Sequence, residues 1–129
     1  MSINAYQLLK GLGLSEQRVL RVLPSVRSRT FEADTVIWPK GATLQPWTHV
    51  LSGLVCAALP EQDGGFIPLN IYGSDTWFGE TTILNNQPST LEYVCLTPVR
   101  VLSLPFAAVW SGLLSDWVLH SATSFLNAF

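Results

Sequence analysis

From Thr30 to Pro105 the chain holds no apolar run of helical length that escapes a turn signal. Short segments follow one another instead: "TFEADTVIW", "THVLSGLVCAAL", "GFIPLNIY", "LEYVCLT" and "VRVLSLP", all rich in β-branched and aromatic residues. Gly41, Ser52-Gly53, Asp63-Gly64-Gly65 and Gly73-Ser74-Asp75 punctuate them. Strands at intervals of about 8–12 residues predict an antiparallel sandwich or barrel rather than alternating βαβ units. Asp63-Gly64-Gly65 is the best hairpin turn, because its glycines tolerate positive φ. Pro68 lacks an N–H for a ladder, so it belongs on an edge strand or at a bulge.

The flanks have helical texture. Ala5, Leu8 and Leu9, then Val19, Leu20, Val22 and Leu23, recur at helical spacing. Gly11 and Gly13 interrupt them, Ser15 is placed to cap the second piece with Glu16 in its first turn, and Pro24 marks the end. Beyond the strands, Pro105 fits the first turn of "PFAAVWSGLL". Ser115 or Asp116 would cap a last helix, "DWVLHSATSFLNAF", in which Val118, Ala122, Phe125 and Phe129 form an apolar stripe with Leu119 and Leu126 beside it. That stripe predicts either a helix cut short or a face that packs on a partner.

Composition narrows the function classes. The chain has 129 residues, 48% hydrophobic and 12% charged, which suits one globular domain and excludes disorder. No apolar stretch approaches the ~20 residues of a membrane span, and "MSINAYQLLKG" has no secretory pattern, so a cytoplasmic protein is expected. Cys56 and Cys95 lie in strand-like runs and read as buried free thiols rather than a disulfide or metal pair. A net charge of −2 argues against nucleic-acid binding by this chain alone. The cations Lys10, Arg18, Arg21, Arg27, Arg29 and Lys40 all precede Gly41, and the next is Arg100.

Two stretches, "VLSGLV" at 50–55 and "YGSDTWFGETTILNNQPSTLEYVCLTPVRVLSLP" at 72–105, resemble the cyclic-nucleotide-binding-domain family. The likeness is closest to the effector domains of Crp/Fnr-type transcription regulators, and the pattern aligns without a gap from Phe78 to Pro105. The resemblance implies a mainly β fold with flanking helices, an antiparallel β-roll or double-stranded jelly roll. In that family a short helix after Gly-Glu presents backbone N–H groups to a cyclic phosphate, the Glu accepts from the ribose hydroxyl and an Arg pairs with the phosphate. Gly79, Glu80 and Pro88 match, and Thr81 through Leu84 would form the short helix. Ser89 stands in the arginine's place, Thr90 follows where Ser or Thr is usual, and Leu91 replaces a small alanine. Asp75 takes a glycine position in the preceding turn, which an aspartate in left-handed conformation tolerates.

A charge-assisted bidentate contact of the missing kind contributes ~1.5–3 kcal/mol, about tenfold to a hundredfold in affinity. Cyclic AMP and cyclic GMP are therefore expected to bind poorly or not at all, unless Lys40 or Arg100 folds close. The candidate ligand-binding residues are Gly79, Glu80, Thr81, Thr82, Ser89 and Thr90. The polar members line a pocket for a neutral or weakly anionic effector, or else satisfy local backbone groups. Asn85-Asn86-Gln87 reads as a solvated turn. The five tryptophans, at 38, 47, 77, 110 and 117, suit packing better than ligand stacking.

Haem sensors among the relatives raise His49 as an axial ligand, against the commoner reading of a structural histidine; His120 lies near the stripe of the last helix. An Fnr-like iron–sulfur cluster has no cysteines to hold it. A cupin-type metal enzyme needs a His-x-His pair that two separated histidines cannot supply, and no nucleophile elbow or Cys–His pair is apparent. No catalytic or metal-ligating residue is assigned, and the effector or cofactor is left unknown.

The expected organisation is a single effector-sensing domain over 1–129, with a helical segment to residue 28, a β-roll at 29–105 and C-terminal helices at 106–129. The expected function is the regulatory, dimerising domain of a Crp/Fnr-type regulator, pairing through its C-terminal helix and reaching DNA only through a domain beyond these 129 residues. The alternative is a free-standing interaction domain with a ligand-free pocket.

Overall fold

A computed structural model describes residues 3–43, 46–80, 87–105 and 109–115. Contacts divide the described residues into two compact units, one running from Arg27 to Leu104, the other joining Ile3–Val26 to Pro105 and residues 109–115.

In the helical unit, α1 (Ala5–Gly11) starts at a capping box that sequence inspection overlooked. The Asn4 side chain accepts from Gln7 N at 2.8 Å, and Gln7 Oε1 accepts from Asn4 N at 3.1 Å. Helix α2 (Glu16–Val22) is capped by Ser15 as the sequence predicts, with Arg18 N donating to its Oγ. Pro24 sits in a 3₁₀ turn, Leu23–Ser25, that ends the segment. Leu8, Leu9, Leu14, Val19 and Val22 are buried. Residues 109–115 are helical, and Val109 N donates to Pro105 O as in a first turn opened by proline. The expected last helix, with Trp117, His120 and the stripe 118–129, lies outside the described residues.

The β unit consists of two four-stranded sheets. Its strands are β1 (Arg27–Phe31), β2 (Val36–Trp38), β3 (Trp47–Ser52), β4 (Val55–Pro60), β5 (Phe66–Tyr72), β6 (Trp77–Phe78), β7 (Glu92–Cys95) and β8 (Val99–Leu104). One sheet has the order β1-β8-β3-β6, the other β2-β7-β4-β5, and every pairing is antiparallel. This is the expected mainly β, jelly-roll architecture. The run "TFEADTVIW" is two strands rather than one, because Asp34 adopts a φ of 66° and breaks it. β1 also begins before Thr30, in the polar stretch "RSR", which hydrophobic texture does not reveal.

Side chains from both sheets form the core: Trp38, Tyr93, Cys95, Val55 and Ala57 from one, Val50, Phe78, Val99 and Val101 from the other. Alternation along β8 turns Val99 and Val101 inward and leaves Arg100 exposed. The Asp63-Gly64-Gly65 turn joins β4 to β5, with Gly65 N donating to Asp63 Oδ1. Pro68 lies on β5, the last strand of its sheet, beside a register shift opposite Ala57 and Ala58. Cys56 and Cys95 are free and buried. Their registers, Cys56 with Val94 and Val55 with Cys95, put them on opposite faces of the sheet.

Candidate functional site

The loop after β6 is fixed by a glycine. Gly79 has a φ of 105° and is buried, and a Cβ there would overlap the Trp38 indole and crowd the carbonyl of Pro46. Only glycine permits that approach together with that backbone. Gly53 does the same for the turn between β3 and β4: its φ is 92° and a Cβ would overlap the carbonyl oxygen of Pro98. Gly53 and Gly79, two of the glycines in the stretches that carry the resemblance, are thus both places where another part of the chain touches the backbone.

Around Gly79 the rings of the core close on one another. Trp38 meets Phe78 and Tyr93 edge-on at centroid distances of 5.1 and 5.0 Å, and Phe78 stacks on Tyr93 at 5.0 Å. Tyr72 leans on Phe78 at 5.5 Å. Glu80 borders this cluster, and its Oε2 is buried with no hydrogen-bond partner among the described residues. Burial, then the neighbouring Tyr72 and Glu80, push the Tyr93 hydroxyl up to about 12. A carboxylate oxygen in that setting calls for a donor.

Across the loop, Ser89 is only 4% exposed. Its Oγ donates to Leu91 O at 2.7 Å and accepts from Leu91 N at 3.3 Å. Its backbone pairs with the segment after β2: Gly41 N donates to Ser89 O at 2.7 Å, and Ser89 N to Ala42 O at 2.9 Å. The hydroxyl in the arginine's place is therefore spent on its own loop. Thr90 is exposed, and Leu91 packs against the core cluster. Thr81 and Thr82 lie outside the described residues. Of the two nearest cations in sequence, Arg100 points away from the core. Lys40 is exposed and immediately precedes Gly41, so the fold brings its backbone beside Ser89. That neighbour was legible only as a possibility, since it depends on the pairing of segments some fifty residues apart.

His49 has a structural setting. It is 1% exposed, its Nε2 is 2.9 Å from Asp75 Oδ1, and its ring lies edge-on to Trp77, which stacks on Trp47 at 4.1 Å. Asp75 has the left-handed conformation expected of it, with a φ of 64°. The His49–Asp75 pair itself was missed, because 26 residues separate its members. Among the described residues no three of His, Cys, Asp and Glu gather as a metal-binding group.

The family model described as "Cyclic nucleotide-binding domain" matches residues 28–116, more than half of the chain. The chain belongs to that family. Solved structures of the same fold include the sensor domain of the transcriptional regulator DNR from Pseudomonas aeruginosa, with a TM-score of 0.74 and 15% identity over 93% of this chain and 80% of that one. The regulatory domain of Toxoplasma gondii PKA, crystallised with cAMP, gives 0.70 and 20% identity over 84% of this chain and 42% of that one. Thermus thermophilus Catabolite Activator Protein gives 0.64 and 20% identity over 90% and 57%. The chain thus spans about half the length of the last two. No curated protein sequence matches it. Among the described residues no helix is long and apolar enough to cross a membrane.

Proposed function

We propose that this domain is the effector-sensing, dimerising part of a Crp/Fnr-type transcription regulator, and that its pocket does not hold cyclic AMP or cyclic GMP in the family's usual way. The observation that carries the reading is Ser89, whose hydroxyl closes on the Leu91 backbone where a phosphate-binding arginine would stand. Glu80 supports a ligand of another kind. A buried carboxylate oxygen with no partner among the described residues suits a neutral molecule that donates a hydroxyl or amide N–H. The site residues remain Gly79, Glu80, Thr81, Thr82, Ser89 and Thr90, with Ser89 shaping the loop rather than touching the ligand. The domain acts without catalysis, in the cytoplasm, as a homodimer paired through its C-terminal helix. It reaches DNA through a domain outside this chain, by a population shift between two packings.

A second reading, a ligand-free interaction domain, is favoured by the ring cluster and by Leu91, which packs against it where the family has alanine. A thermal-shift screen separates the two. Neutral hydroxyl-bearing compounds that stabilise the protein, with the shift lost in Glu80→Ala, support sensing. No shift with any compound supports the ligand-free domain, and a shift with cyclic nucleotides alone overturns both.

A further inference from the structure

The helical unit holds a cleft of about 250 Å³ that the effector reading does not use. Among the described residues it is lined by Arg18, Arg21 and Val22 of α2, by Ser25 in the turn that follows, and by Pro105 and Gly112. All of these belong to one compact unit. Gly112 lets the helix at 109–115 come close to α2. A Cβ there would meet Leu14 Cδ2 at 3.1 Å and Arg18 Cδ at 3.2 Å, with Arg18 Nη1 at 3.8 Å. The Arg18 stem therefore lies along the cleft wall and carries its guanidinium with it.

Charge in this unit is uneven. Its described residues carry Lys10, Arg18 and Arg21 but a single acid, Glu16. Helix α1 engages that acid: Glu16 Oε2 accepts from Tyr6 Oη at 2.6 Å and lies 3.7 Å from Lys10 Nζ. Arg21 is exposed and makes no ion pair among the described residues. Three positions apart, Arg18 and Arg21 share one face of α2, where like charges repel and a bound anion relieves the repulsion. A guanidinium presents paired N–H donors that match a carboxylate, and Ser25 adds a hydroxyl. Val22, Pro105 and the Arg18 methylenes supply apolar wall, so the fit is to an anion with an organic body rather than to a bare inorganic ion. Size sets the upper bound, because the cleft is smaller than the ~300–1,000 Å³ of sites for drug-sized molecules.

The geometry points to a second ligand site here, one that takes a small organic carboxylate between α2 and the helix at 109–115. It shares no residue with the Glu80 pocket. Hexanoate is the probe, with 1-hexanol as its neutral counterpart and inorganic phosphate as an anion without an apolar body. Calorimetric titration of the full chain is expected to show saturable hexanoate binding, weakened about tenfold or more in Arg21→Gln. In nuclear magnetic resonance spectra the amides of Val22, Ser25 and Gly112 should shift on titration while Gly79 stays in place. Without probe, Arg21→Gln should melt where the wild type does, because Arg21 is exposed. A lower melting temperature would show that the arginine serves the fold, and would overturn the inference. So would the absence of saturable hexanoate binding, equal affinity in Arg21→Gln, shifts centred on Gly79, or equally tight binding of 1-hexanol or phosphate.

Discussion

On the β6 side of the 79–93 loop, Gly79 and Glu80 keep the family's residues, the positive φ and the close contact with Trp38. On the β7 side, Ser89 stands in the arginine's place and turns its hydroxyl back on Leu91. The first side is constrained by packing: no residue but glycine can sit where an indole lies against the backbone. The second is held at its backbone by Gly41 and Ala42, and on the proposed reading its side chain has no phosphate to hold, so a small hydroxyl can satisfy the loop. On that reading, a fold signature survives intact beside a binding signature that does not.

That comparison breaks most easily at Gly79. Gly79→Ala places a Cβ against Trp38 at a positive φ, and should cost about 2–5 kcal/mol in a denaturant titration. A cost below about 1 kcal/mol would mean that packing does not hold the β6 side in place. Tyr93, beneath the same turn, gives a pH test. Its folded-state value is raised from 10.0 to about 12, so the neutral phenol is favoured in the folded protein. That contribution is fully present below pH 10 and is lost as pH rises toward 12. Thermal melts should show this alkaline limb, and Tyr93→Phe should flatten it. Ser89→Ala is expected to have the smallest effect: about 1 kcal/mol for the buried hydroxyl's local bonds, with no change in response to cyclic nucleotides.

Much of the fold could be read from residues whose local chemistry admits one arrangement. Ser15 caps, Asp63-Gly64-Gly65 turns, Pro68 goes to an edge strand at a register shift, and Asp75 accepts a left-handed backbone. β1 escaped because an edge strand facing solvent can be polar, and Arg27, Ser28 and Arg29 give no hydrophobic period. The site was legible as a motif and not as a geometry. The substitution at Ser89 was visible in the sequence, but the closure of its hydroxyl, the buried oxygen of Glu80 and the approach of Lys40 to the loop all arise from long-range pairing. Expectations for Thr81, Thr82 and the helix after Ser115 fall outside the described residues.

The absent arginine is worth about tenfold to a hundredfold in affinity, and Lys40 is the cation whose backbone the fold brings beside Ser89. Calorimetric titration with cyclic AMP decides the matter most directly, using the wild-type protein, Ser89→Arg and Lys40→Ala. No saturable heat is expected at micromolar concentration for the wild type, with binding emerging in Ser89→Arg if that contact alone was lost. Saturable wild-type binding at micromolar concentration would contradict it, and loss of that binding in Lys40→Ala would identify the cation that had taken the arginine's part.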